Sequence, residues 1–171
     1  NPMPNAPRAH CHNDILSLEL WVNGIPVLID PGTFCYSSEI DKRNYFRSTL
    51  MHNTVTVNNQ EINPLNKNVF YMNWQTNFTC KDWSILPEEI RFIGEHDAFE
   101  DSFGILVRRT VSYYPNKSSL LITDEIVGDK LVNQNITSNW ILNPDMNFQI
   151  NRQDNTWSNS NNIYHQLFHL L

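Results

Sequence analysis

With 171 residues, of which 40% are hydrophobic, 12% aromatic and 18% charged, the chain has the composition of one globular domain. At that length it buries about two-thirds of the surface its unfolded form exposes. A net charge of −6 argues against a nucleic-acid binder, which clusters Lys and Arg against phosphates. No run approaches the ~20 apolar residues of a membrane-spanning helix.

The first strand predicted is 15–22, where Leu16, Leu18, Leu20 and Val22 alternate with Ser17 and Glu19. Asn23-Gly24 follows, a strong hairpin signal because both central residues of its turn need positive φ. It leads into Ile25–Ile29, with Val22 facing Ile25 and Asp30 facing Ser17. Pro31-Gly32 ends that strand, a polar loop is expected from Ser37 to Ser48, and His52–Val57 reads as the third strand. Further strands are predicted at 68–72, 76–80, 90–94, 104–113, 119–127, 136–142 and 146–150. Pro87-Glu88-Glu89 is the one hint of a helix start, and no segment keeps a 3.6-residue apolar period. The expectation is an all-β fold, an antiparallel two-sheet β-sandwich with residues 1–171 as one domain.

Cys11, Cys35 and Cys80 are odd in number and lack CxxC spacing, which excludes a disulfide framework and a zinc ribbon. They read as buried small hydrophobes; Cys11, between two histidines, is also a candidate ligand, although in an extended segment alternation points it away from them. The chain begins on Asn1 rather than Met, carries no signal-peptide pattern, and reaches a dense motif by residue 8, so it reads as a piece of a longer protein.

Four residues able to bind metal or carry protons, His10, His12, Asp30 and His52, each lie beside a strand end or turn. Zinc takes imidazoles and carboxylates, with a fourth place left for water. Surface or hydrogen-bonded histidines would give the same pattern. The hairpin register adds a condition: a straight strand would put His12 about 17 Å from Asp30, so the chain must turn back near Asn13-Asp14. Arg8, Lys42, Arg43 and Arg47 flank this region, whereas Glu88, Glu89, Glu95, Asp97, Glu100 and Asp101 lie elsewhere, an asymmetry that suits an anionic sugar.

The runs HCHNDILSLELWVNGIPVLIDPGTFCYS and RNYFRSTLMHNTVTVNNQ closely resemble the heparinase II/III-like polysaccharide lyases. Weaker likeness continues through Arg108-Arg109-Thr110-Val111, the strand with Asp124, and Trp140–Pro144. The resemblance implies a bacterial, periplasmic or secreted enzyme joining an absent N-terminal α-toroid to this β-sheet domain. It implies cleavage of acidic, uronic-acid-containing polysaccharides (glycosaminoglycan-like or alginate-like) by β-elimination, with His10 catalytic and His12, Asp30 and His52 holding a structural zinc ion (Zn2+). A tyrosine and the groups that neutralise the uronate would come from the toroid, leaving the isolated domain inactive. Met51 and Cys11 depart from the family's usual small residues without removing a ligand.

Asp14 is a candidate acceptor behind a ligand histidine, or a turn residue. Arg47 is a candidate for pairing with a uronate or sulfate. Tyr36, Tyr45, Phe46 and Trp21 suit sugar stacking or a core, and His96, His165 and His169 read as surface residues. Two other readings stand beside the lyase: a non-catalytic carbohydrate-binding or scaffolding module, and a cupin-like metal enzyme, which the lack of a Glu soon after His12 disfavours.

Overall fold

The computed structural model describes residues 8, 10–67, 70–129, 133–146, 149–151, 156–159 and 162–165. Strands β1 (Leu20–Val22) and β2 (Ile25–Leu28) form the predicted hairpin. Asn23 (φ 52) and Gly24 (φ 77) both adopt the left-handed conformation its turn requires. The first strand is shorter than predicted because Leu16 takes a φ of 61 in a turn closed by Ser17 N–H on the Asp14 carbonyl at 2.8 Å. A bulge then shifts the register, so Leu20 faces Leu28, and the predicted pairing of Asp30 with Ser17 does not form.

The predicted polar loop contains a helix, α1 (Ile40–Phe46), followed by a tight 3-10 turn over Thr49–Met51. Its one buried residue is Arg43, so it has no apolar stripe from which a helical period could be read. β3 (Val55–Val57) is buried throughout. Of the predicted strand 68–72, residues 68 and 69 lie outside the described residues, and 70–72 form none.

Four long strands, β4 (Phe78–Ile85), β5 (Ile90–Phe99), β6 (Ile105–Tyr114) and β7 (Ser119–Val127), form an antiparallel sheet in chain order. Pro87 starts no helix: it lies in the β4–β5 turn, where Leu86 N–H meets the Glu89 carbonyl at 2.9 Å. A short helix, α2 (Glu100–Phe103), joins β5 to β6 and ends at Gly104 with φ 69. β8 (Ile136–Ser138) pairs with β3, while β9 (Gln149–Asn151), β10 (Thr156–Asn159) and β11 (Asn162–His165) form a separate three-stranded sheet.

The core lies between the β3–β8 pair and the four-stranded sheet. Val55 and Val57 come from one layer, and Phe99, Ile105, Val107 and Ile126 from the other, with Ile15 and Ile62 completing the cluster. Each such side chain contributes about 1.5–3 kcal/mol by leaving water. The architecture is the predicted antiparallel β-sandwich.

Cross-strand pairing places His96 opposite Val107, which in turn faces Ile126. His96 is therefore interior, 1% exposed, rather than on the surface. The side chain of His165, and all of His169, fall outside the described residues. The cysteines are free and less buried than predicted, with Cys80 exposed. Among the described residues no helix is long and apolar enough to cross a membrane.

Candidate metal centre

The turn at Asp14–Ser17 brings His12 back over the end of β2, which meets the condition set by the hairpin register. Asp30 follows β2, and His52 follows the 3-10 turn. One ligand atom from each of His12, Asp30 and His52 lies within 4.8 Å of the others. His12 Nδ1 is 3.1 Å from His52 Nε2, and His52 Nε2 is 3.3 Å from Asp30 Oδ2. Tetrahedral zinc with bonds of about 2.0–2.1 Å spaces its ligand atoms about 3.3–3.4 Å apart.

Hydrogen bonds on the far side of each ligand fix these directions. His52 Nδ1 donates to the Ser48 carbonyl at 2.7 Å, leaving the Nε2 of the neutral ring as a lone pair. That nitrogen faces both Asp30 Oδ2 and His12 Nδ1, so the three atoms share one space. His12 Nε2 meets Thr33 Oγ1 at 3.2 Å, and Asp30 Oδ1 accepts Gly32 N–H at 2.7 Å. Burial, and next the neighbouring His52, lower the His12 pKa, favouring the neutral imidazole a metal needs. This donor set fits a zinc ion, with His12 Nδ1, His52 Nε2 and Asp30 Oδ2 as ligands. Among the described residues no glutamate joins them, unlike the pattern of a cupin.

The other predicted site residues divide. His10 is exposed and outside the cluster, its ring edge-on to Tyr36 at 5.6 Å. Asp14 is at the solvent edge, and its carboxyl is raised mainly by desolvation, with His52 pulling the other way. The hydrogen-bond acceptors behind the two histidines are the Ser48 carbonyl and the Thr33 hydroxyl, rather than Asp14.

Arg47 is 0% exposed. Its Nε donates to Asn44 Oδ1 at 3.0 Å and its Nη2 to the Tyr71 carbonyl at 3.3 Å, while its own carbonyl accepts Asn13 N–H at 2.9 Å. It anchors the segment beside His12 instead of facing solvent. Tyr36, Tyr45 and Trp21 are exposed rather than core, and Phe46 stacks on Phe34 with ring centres 5.2 Å apart.

Two asparagines absent from the sequence-based site each follow a candidate ligand histidine. Asn13 donates to Glu61 and to the Asn63 carbonyl, and Asn63 N–H donates back to it. Asn53 donates to the carbonyls of Leu18 and Ile29 and accepts Ile141 N–H at 2.6 Å. Together they bind the segments of His12, Asp30 and His52 to one another. Adjacency to the histidines was the signal that could have found them.

Fold and site define an antiparallel β-sandwich domain that gathers two histidines and an aspartate from three segments, with metal-ligand spacing. The family described as heparinase II/III-like, C-terminal, matches residues 1–169, and the chain belongs to that family. A curated relative, a heparin-sulfate lyase from Bacteroides stercoris, is 29% identical over 124 residues, covering 71% of this chain. A solved structure described as a heparinase III gene product with methylated lysines superposes with a TM-score of 0.69 over 86% of this chain, at 24% identity. The chain spans 16% of the length of the curated relative and 21% of that solved chain.

Proposed function

We propose that this chain is the β-sandwich portion of a polysaccharide lyase that cleaves uronic-acid-containing polymers by β-elimination. The observation that carries the reading is the convergence of His12, Asp30 and His52 beside the exposed His10, in a chain of the heparinase II/III-like family. The printed activity of the curated relative, heparin-sulfate lyase, supports the choice of substrate class. A parent located in the bacterial periplasm or outside the cell suits a polymeric substrate.

In β-elimination a base removes the proton at C5, beside the uronate carboxylate, and the 4-linked oxygen departs. The carboxylate must be neutralised and an acid/base placed within ~3 Å of the proton or the leaving oxygen. His10 serves as that group, since imidazole is the side chain suited to exchanging a proton with substrate. His12, Asp30 and His52 would hold zinc, whose positive charge offsets the carboxylate facing the His52 lone pair. Their part is structural: the three segments are tied into one rigid wall that orients the loop carrying His10. The second acid/base and the uronate-neutralising groups come from the N-terminal α-toroid, so the isolated chain binds without turnover.

The test is elemental analysis of the purified chain beside His12→Ala and Asp30→Ala, together with a lyase assay of the parent on uronate polymers with and without His10→Ala. Near-stoichiometric zinc lost in both ligand variants, and activity lost in His10→Ala, are expected. A parent that binds the polymer but releases no unsaturated product would make the domain a carbohydrate-binding module instead.

A further inference from the structure

One buried cation touches both segments that carry the histidine ligands. Arg109 is 1% exposed and projects from β6 into the sandwich. Its Nε and Nη2 each donate to a different oxygen of Asp124 on β7, both at 2.7 Å. Its Nη1 donates to the Leu16 carbonyl at 2.7 Å and also to the Asn53 carbonyl. The Trp140 ring lies 5.0 Å from the guanidinium carbon, and the Ser138 hydroxyl donates to Asp124 Oδ2 at 3.0 Å.

These two carbonyls are not arbitrary. Asn53 follows His52, and Leu16 lies inside the Asp14–Ser17 turn that returns His12 over the hairpin. Leu16 holds φ 61, a conformation that costs a non-glycine residue on the order of 1 kcal/mol and persists only where surrounding contacts enforce it. The same turn is cross-tied by the Asn53 N–H, which donates to Ser17 Oγ at 3.1 Å. A planar fork with five donors can grip a carboxylate with two nitrogens and bridge two carbonyls with a third, and an ammonium cannot do both.

We propose that Arg109, oriented by Asp124, is a positioning residue for the metal centre: by holding the Leu16 and Asn53 carbonyls on one nitrogen it sets the separation of His12 and His52. The inference rests on the zinc reading only for its metal readout, because the approach of the two rings can be measured in metal-free protein.

The test compares the full 171-residue chain with Arg109→Lys, and with Val107→Ala as a core variant that touches neither carbonyl. Zinc affinity, read by competition with a chromogenic chelator, is expected to weaken about 10- to 100-fold in Arg109→Lys, the scale typical of groups that orient metal ligands. Val107→Ala should lose thermal stability but keep its affinity. In metal-free protein the nuclear Overhauser contact between the His12 and His52 rings should be present in the wild type and lost in Arg109→Lys. Should Arg109→Lys fail to fold, Ser138→Ala loosens Asp124 more gently and is expected to shift affinity and ring contact in the same direction. An unchanged ring contact in the substituted chain, or equal loss of affinity in Val107→Ala, overturns the inference. If the wild type binds no zinc but the ring contact still depends on Arg109, the zinc reading fails and the positioning role stands.

Discussion

His52 Nε2 stands 3.3 Å from Asp30 Oδ2 while its other nitrogen donates to the Ser48 carbonyl. Its Nε2 therefore points into the space shared with Asp30 Oδ2 and His12 Nδ1. A cation bound there by the folded chain alone adds stability by mass action, so zinc at one hundred times its dissociation constant should stabilise the chain by about 2.7 kcal/mol. Differential scanning calorimetry with and without zinc is the check. His52→Ala should abolish the zinc-dependent rise in melting temperature, and a rise that survives it would place the ion elsewhere.

His96 predicts a pH effect that is independent of metal. Ala98 N–H donates to its Nδ1 at 3.3 Å, which puts the ring proton on Nε2, where it has no partner among the described residues. Burial lowers its pKa from 6.5 to about 4. Between those values the unfolded chain binds the proton and the folded chain does not, so stability is full above pH 6.5 and falls as pH drops toward 4. The total loss is about 3 kcal/mol at ~1.4 kcal/mol per pKa unit. In urea titrations across that range His96→Leu should flatten the slope, and parallel slopes for the two proteins would refute the assignment.

Arg47 separates a structural arginine from a substrate-binding one. Arg47→Ala removes a buried guanidinium from Asn44 and the Tyr71 carbonyl. Leaving buried polar groups unpaired costs about 1–3 kcal/mol each. A lower melting temperature is expected, with KM for the polymer unchanged in a parent assayed at a temperature where the variant is folded. A rise in KM without loss of stability would return Arg47 to the binding surface.

Gly128 follows β7, and a Cβ there would collide with the Gly104 backbone carbonyl after α2. Backbone on both sides cannot yield as a side chain can, so Gly128→Ala should cost about 1–3 kcal/mol, the usual range for overpacking. Chemical denaturation measures it. No change in midpoint would show that the α2 connection gives way freely.

The sequence by itself determined the fold class, the Asn23-Gly24 hairpin and the identity of the residues that meet at the candidate centre. These are legible because alternation, turn chemistry and residue type are local properties. A shared site needed a reversal near Asp14, since a straight strand would have carried His12 away from Asp30; Asn13-Asp14 permitted that turn, but nothing in the sequence demanded it. Only the tertiary structure decided the rest. α1 is anchored by buried Arg43 and has no apolar stripe to betray it. The β1 bulge moves the register by one residue without a sequence mark. His96 and Arg47 are buried because neighbouring strands and loops cover them, and Arg109 reaches Leu16 and Asn53 across 93 and 56 positions of chain. Burial and long-range hydrogen bonds depend on which segments meet, and no window of sequence contains both partners.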